Sequence, residues 1–110
     1  MIFKTHNKFS LLKRSIKFWW QRLTRGWDDS DTWSLDMTIA EFILPRLKKY
    51  REVNKGIPYT FTKETWNAAL DEMIYYMTCI ANRYEDIDID WDRAEIGKAL
   101  FFKYFEDLWW

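Results

Sequence analysis

The chain has 110 residues, room for one domain with a modest core and not for a second. A hydrophobic content of 48% with three glycines excludes a disordered chain, and 17 cations against 17 acids exclude a strongly basic or acidic one. Aromatic residues make up 20%, more than such a core takes up, which puts rings on the surface where they serve partner contact.

The charge is segregated along the chain. Residues 1–25 hold seven Lys or Arg and no acid, whereas residues 84–110 hold eight acids and three cations. Two readings stay open. The basic end packs near the acidic end within one domain, or it forms a basic surface for nucleic acid or acidic lipid.

The first predicted helix spans 10–24, with Ser10 as N-cap, Gly26 as the stop and residues 1–9 as an arm before it. Leu12, Ile16, Trp19, Trp20 and Leu23 fall on one stripe, and Lys13, Arg14, Lys17 and Gln21 fall away from it. Leu12, Ile16, Trp19 and Leu23 are expected to enter the core. That would leave a contact surface of Lys13, Arg14, Lys17, Phe18 and Trp20, aromatic anchors among cations. Such chemistry stacks bases and tracks phosphates, and it also suits an interfacial membrane helix.

The segment RGWDDSDTWSLD follows, with Asp28, Asp29, Asp31 and Asp36 close together. Ser30, Asp31 or Thr32 can cap the next helix, and Asp36 suits its first turn. Capping needs one or two acids. The surplus either pairs with the basic first helix across Gly26 or binds a cation through Asp28, Asp29, Asp31 and Asp36.

The second helix is predicted over 33–51, with a kink at Pro45. A loop punctuated by Gly56 and Pro58 leads to Thr62, the cap of a third helix over 62–83. Its seam is Trp66, Leu70, Met73, Met77, Ile80 and Tyr84. Cys79 lies on this helix as a buried, inert thiol. A single cysteine makes no disulfide within the chain, which suits a reducing cytosol. The fourth helix is predicted over 93–109, with Asp92 and Glu95 as a capping box and Ala94, Gly97, Phe101, Tyr104 and Leu108 as its stripe. The terminal Trp109-Trp110 is expected to dock. The fold class is therefore all-α, a single-domain four-helix bundle-like fold.

No catalytic set emerges. Asp86, Asp88 and Asp90 mimic the start of a calcium loop, but Trp91 stands where the turn glycine belongs and Gly97 where the bidentate Glu belongs. A metal-dependent nucleotide hydrolase needs carboxylates one turn apart facing into a bundle. Asp71 and Glu72 are adjacent, and Glu41 is isolated. No apolar run approaches the ~18 residues that cross a membrane. No cofactor is implied.

Residues 25–110 resemble a family of small uncharacterised bacteriophage proteins. The family pattern is glycine-aromatic-x-D-x-D-x-W-x-L-D, then I-x-x-x-x-L-P-R-L-K, then a terminal L-F-x-K-Y-F-x-x-L-W. It is matched here by Gly26, Trp27, Asp29, Asp31, Trp33, Leu35, Asp36, Pro45, Arg46, Lys48, Lys103, Tyr104, Phe105 and Trp109. The resemblance implies a phage origin and a host bacterial cytoplasm, and no reaction. The expected function is a non-enzymatic phage accessory protein that binds a host or phage macromolecule, as a defence-system inhibitor or trigger or a host-takeover factor. One alternative is an oligomeric sponge for a small ligand or nucleotide signal. Another is the metal-dependent hydrolase with an acidic bundle site.

Overall fold

A computed structural model describes residues 2–109, with side chains from Ser10 onward. The fold is all-α. The described residues form four helices and no strand: α1 (Ile2–Arg25), α2 (Leu35–Val53), α3 (Lys63–Ala81) and α4 (Trp91–Lys103). They fall into two compact units, residues 1–35 and residues 36–110.

The first unit is α1 and the turn after it. α1 begins at Ile2, so residues 2–9 are helical and Ser10 is an interior residue and not the expected N-cap. Gly26 ends α1 at φ +81°, a left-handed conformation that glycine adopts without a Cβ penalty. Residues Asp29–Thr32 then form a short 3-10 turn.

The burial of α1 is the reverse of expectation. Leu12, Ile16, Trp19, Trp20 and Leu23 are 59–62% exposed, whereas Phe18 is half-buried. The reason is electrostatic. The turn after Gly26 is acidic, so it packs on the basic face of α1 and leaves the apolar stripe uncovered.

The second unit holds the core. Ala40 and Leu47 of α2 pack with Trp66, Ala69, Leu70, Met73 and Met77 of α3 and Phe101 of α4. Trp66, Leu70 and Met73 are 0% exposed, as the seam spacing predicts. Thr62 caps α3 through a box with Thr65, a local signal that the sequence states plainly. α3 ends at Asn82, whose amide bonds to the Thr78 carbonyl, so Tyr84 lies beyond the helix and is exposed rather than part of the seam.

Within this unit α2, α3 and α4 run antiparallel in turn, as the pairs between them show. Arg83 holds Asp36, and Arg51 donates to Asp71 at 2.5 and 3.1 Å. Arg93 donates to Glu72 at 2.9 and 3.1 Å, and the Tyr75 hydroxyl accepts from the Asp90 amide at 2.9 Å. α3 and α4 approach so closely that Gly97 lies directly against the Glu72 carbonyl. Phe61, Trp66 and Tyr104 close one end as a ring cluster with centroids 5.0–6.1 Å apart.

Four boundaries of α2 and α4 move from their expected places. α2 starts at Leu35, because the Trp33 amide is spent on the Ser30 carbonyl at 3.1 Å, closing the 3-10 turn. It continues through Pro45 to Val53. α4 is capped by Asp90, which accepts from the Arg93 amide at 3.1 Å, and not by Asp92 with Glu95. It stops at Lys103 and passes into a 3-10 turn, Phe105–Asp107. The chain end is held at the Trp109 carbonyl, to which the Tyr50 hydroxyl donates at 3.0 Å. The expected docking of Trp109-Trp110 is not met by the Trp109 ring, which is 63% exposed, and Trp110 lies outside the described residues.

Candidate functional site

The acids that look like a metal cluster in sequence are distributed to separate tasks. Asp28 is 2% exposed and caps the 3-10 turn. It accepts from the Ser30 amide at 2.9 Å and from the Ser30 hydroxyl, and it pairs with Arg22 at 2.5 Å. Asp31 returns the bond by accepting from the Asp28 amide at 3.4 Å. This reciprocal box, not a cap from Ser30, Asp31 or Thr32 on α2, is the motif's local purpose.

Asp29 ties the turn to α1. Gln21 grips it twice, its amide donating to the carboxylate at 2.8 Å while its oxygen accepts the Asp29 backbone N–H at 2.8 Å. Arg25 donates at 2.6 Å and Lys17 stands 3.3 Å away. The Gln21 bond, then Arg25 and Lys17, hold the Asp29 carboxyl down to about 2. The Asp28 carboxyl is also lowered, chiefly by Ser30. Asp36 belongs to the second unit, where Arg83 and the Met37 amide take it and lower its pKa. Asp28, Asp29 and Asp36 are therefore ionised and engaged at neutral pH, with none of the three poised as a general acid. Among the described residues, no three His, Cys, Asp or Glu side chains converge in a manner that could hold a metal ion.

The remaining motif positions have structural roles of their own. Gly26 supplies the turn. The Trp27 ring lies under the Arg25 guanidinium at 3.7 Å, and Pro45 sits inside α2. Trp33 reaches back to α1. Its ring meets Phe18 edge-on at 5.5 Å, with the Arg14 guanidinium 5.4 Å from its centroid.

Between α1 and the turn this leaves an open cleft of about 370 Å³, lined by Ser10, Lys13, Arg14, Lys17, Phe18, Asp29 and Trp33. Four of the five expected contact residues thus meet in one place: Lys13, Arg14, Lys17 and Phe18. Trp20 does not line it, since it lies on the exposed apolar stripe. Trp33 was the residue that sequence reasoning assigned only to structure, although the acids beside it are complementary to the cations of α1. Lys13 and Arg14 have no carboxylate partner among the described residues, so they carry the cleft's uncompensated charge, while Asp29 offsets Lys17. The site can bind an anionic or π-rich group. It offers no nucleophile with an adjacent base.

Elsewhere, Cys79 is buried as expected, and burial raises its thiol pKa. No helix among the described residues is long and apolar enough to cross a membrane. No protein-family model matches the chain, and neither a curated protein nor a solved structure matches it significantly.

Proposed function

We propose that this is a non-enzymatic accessory protein of bacteriophage origin, acting in the host bacterial cytoplasm by binding a host or phage protein through the α1 cleft. The phage setting rests on the resemblance of residues 25–110. The binding role rests on one observation: Lys13, Arg14, Lys17 and Phe18 gather with Trp33 in a single cleft whose outer cations have no carboxylate partner among the described residues. Exposed rings bordered by Arg and Lys anchor protein contacts at small entropic cost. An acidic partner surface that lays an apolar or aromatic side chain against Trp33 matches this chemistry.

A nucleotide-signal sponge is the second reading, favoured by the same rings and cations. It is the weaker fit. A small ligand in a built site is mostly enclosed, whereas Trp33 is 63% exposed and the Lys17 side chain 65%. The hydrolase reading has less support, since the acids it requires are taken by caps and cations in two separate units.

The test is affinity capture from infected host lysate with the wild-type chain and with a Lys13→Glu, Arg14→Glu double variant. Neither side chain pairs with the acidic turn, so the fold is expected to survive, with circular dichroism as the check. Loss of a captured protein by the folded variant supports the proposal. An identical captured set at equal yield refutes it. Quenching of tryptophan fluorescence by a nucleotide, lost in the same variant, would favour the sponge.

A further inference from the structure

Two features unused by the cleft fit each other. The first is the apolar stripe of α1. Leu12, Ile16, Trp19, Trp20 and Leu23 recur at spacings of four, three, one and three, the single face of an amphipathic helix, and all are largely exposed. Their direction is fixed within the first unit. Lys17, Gln21, Arg22 and Arg25 hold the acidic turn against the opposite face, and Trp33 packs there on Phe18. At 100° per residue these contacts centre about half a revolution from the stripe. The acidic turn therefore occupies the side of α1 away from the apolar face.

The second feature lies in the three-helix unit. α2, α3 and α4 border an apolar groove of about 390 Å³, lined among others by Ile39, Ile43, Ile80, Phe101, Phe102 and Phe105. Ile39, Phe102 and Phe105 are 47–65% exposed. Three antiparallel helices with an apolar groove along them have the shape of a bundle that takes one more helix.

We infer that the groove is filled by the α1 stripe of a second copy of this chain, the two copies exchanging α1 reciprocally in a two-fold dimer. Charge decides among occupants. Residues 1–35 carry seven cations and three acids, a net +4. Residues 36–110 carry ten cations and fourteen acids, a net −4. A stripe-to-stripe pair would bring +4 against +4, and exchange brings +4 against −4. The inference does not rest on the cleft, because the stripe and the cleft occupy different faces of α1.

The experiment is sedimentation velocity on the full chain, wild type and two variants. Ile16→Glu spoils the stripe and keeps the groove. Phe102→Glu spoils the groove and keeps the stripe. Both positions are more than half exposed, so the core of residues 36–110 stays intact, and thermal melting verifies this. Exchange predicts a wild-type dimer. It predicts that association of each variant alone weakens by about tenfold or more. A mixture of the two variants forms a heterodimer, because one intact stripe meets one intact groove. A monomeric wild type overturns the inference. So does a Phe102→Glu variant that dimerises like wild type, which would mean stripe against stripe. Wild-type monomer that binds anionic lipid vesicles through Ile16 would assign α1 to a membrane instead.

Discussion

Replacing Gly97 by alanine tests the packing on which the three-helix unit depends. A Cβ at position 97 would sit 2.0 Å from the Glu72 carbonyl oxygen, 2.8 Å from its carbon and 3.0 Å from the Tyr76 Cβ. Carbon and oxygen come no closer than about 3.3 Å even in favourable C–H···O contacts. α4 must therefore retreat from α3 by about 1.3 Å at the contact. The neighbour is helical backbone and cannot rotate aside as a side chain would. Retreat loosens the packing of Phe101 with Met73 and Met77 in the buried core, and a gap of that size forfeits much of the dispersion across it. Overpacking costs about 1–3 kcal/mol, with rigid backbone at the upper end. Alanine returns about 1 kcal/mol of helix propensity. The net loss is about 2 kcal/mol, a fall in Tm of roughly 8–16 °C for a unit of this size. Urea and thermal melts followed by circular dichroism measure it. A Gly97→Ala protein that melts at or above the wild-type temperature would show that the α3–α4 contact is not as close as described.

Gly26→Ala makes the complementary case: nothing lies within 4 Å of the added Cβ, but φ is +81°, so the cost is backbone strain of about 1 kcal/mol in the first unit and no change in the melt of the second. Acid should release the turn from α1. Because the folded Asp29 carboxyl is depressed from 3.8 to about 2, its contribution is complete above 3.8 and disappears as pH falls through about 2. NMR of the Gln21 side-chain amide follows this, and an amide shift that stays constant across that range contradicts the assigned bond. Cys79, 2% exposed with its thiol pushed up by burial, should resist a thiol reagent in the native state and react at the unfolding rate, so rapid native labelling would contradict its burial.

What the sequence disclosed divides along a physical line between local and non-local signals. Thr62 with its partner three residues on, and the run Trp66, Leu70, Met73, Met77, are satisfied by their own helix and one neighbour, and they stand where the pattern puts them. Where several acids precede a helix, composition fixes that a carboxylate caps and leaves the choice to geometry. Asp90 takes the role that Asp92 could have had, whereas Asp28 caps the 3-10 turn and not α2, the helix that Ser30, Asp31 or Thr32 could have capped. Periodicity established that Leu12, Ile16, Trp19 and Leu23 share a face. It could not say what covers that face, because an apolar stripe is equally consistent with a core and with an interface. The deciding information was in the charges. Three acids follow Gly26 within five residues, facing a helix that has cations at Lys17, Arg22 and Arg25, and this pairing pulls the turn onto the polar side. Once that side is occupied, Phe18 and Trp33 are brought together and the stripe is turned outward. The cleft and the exposed stripe are thus two consequences of one electrostatic choice. A variant that reversed it, such as Asp28→Lys with Asp29→Lys, should release both features together.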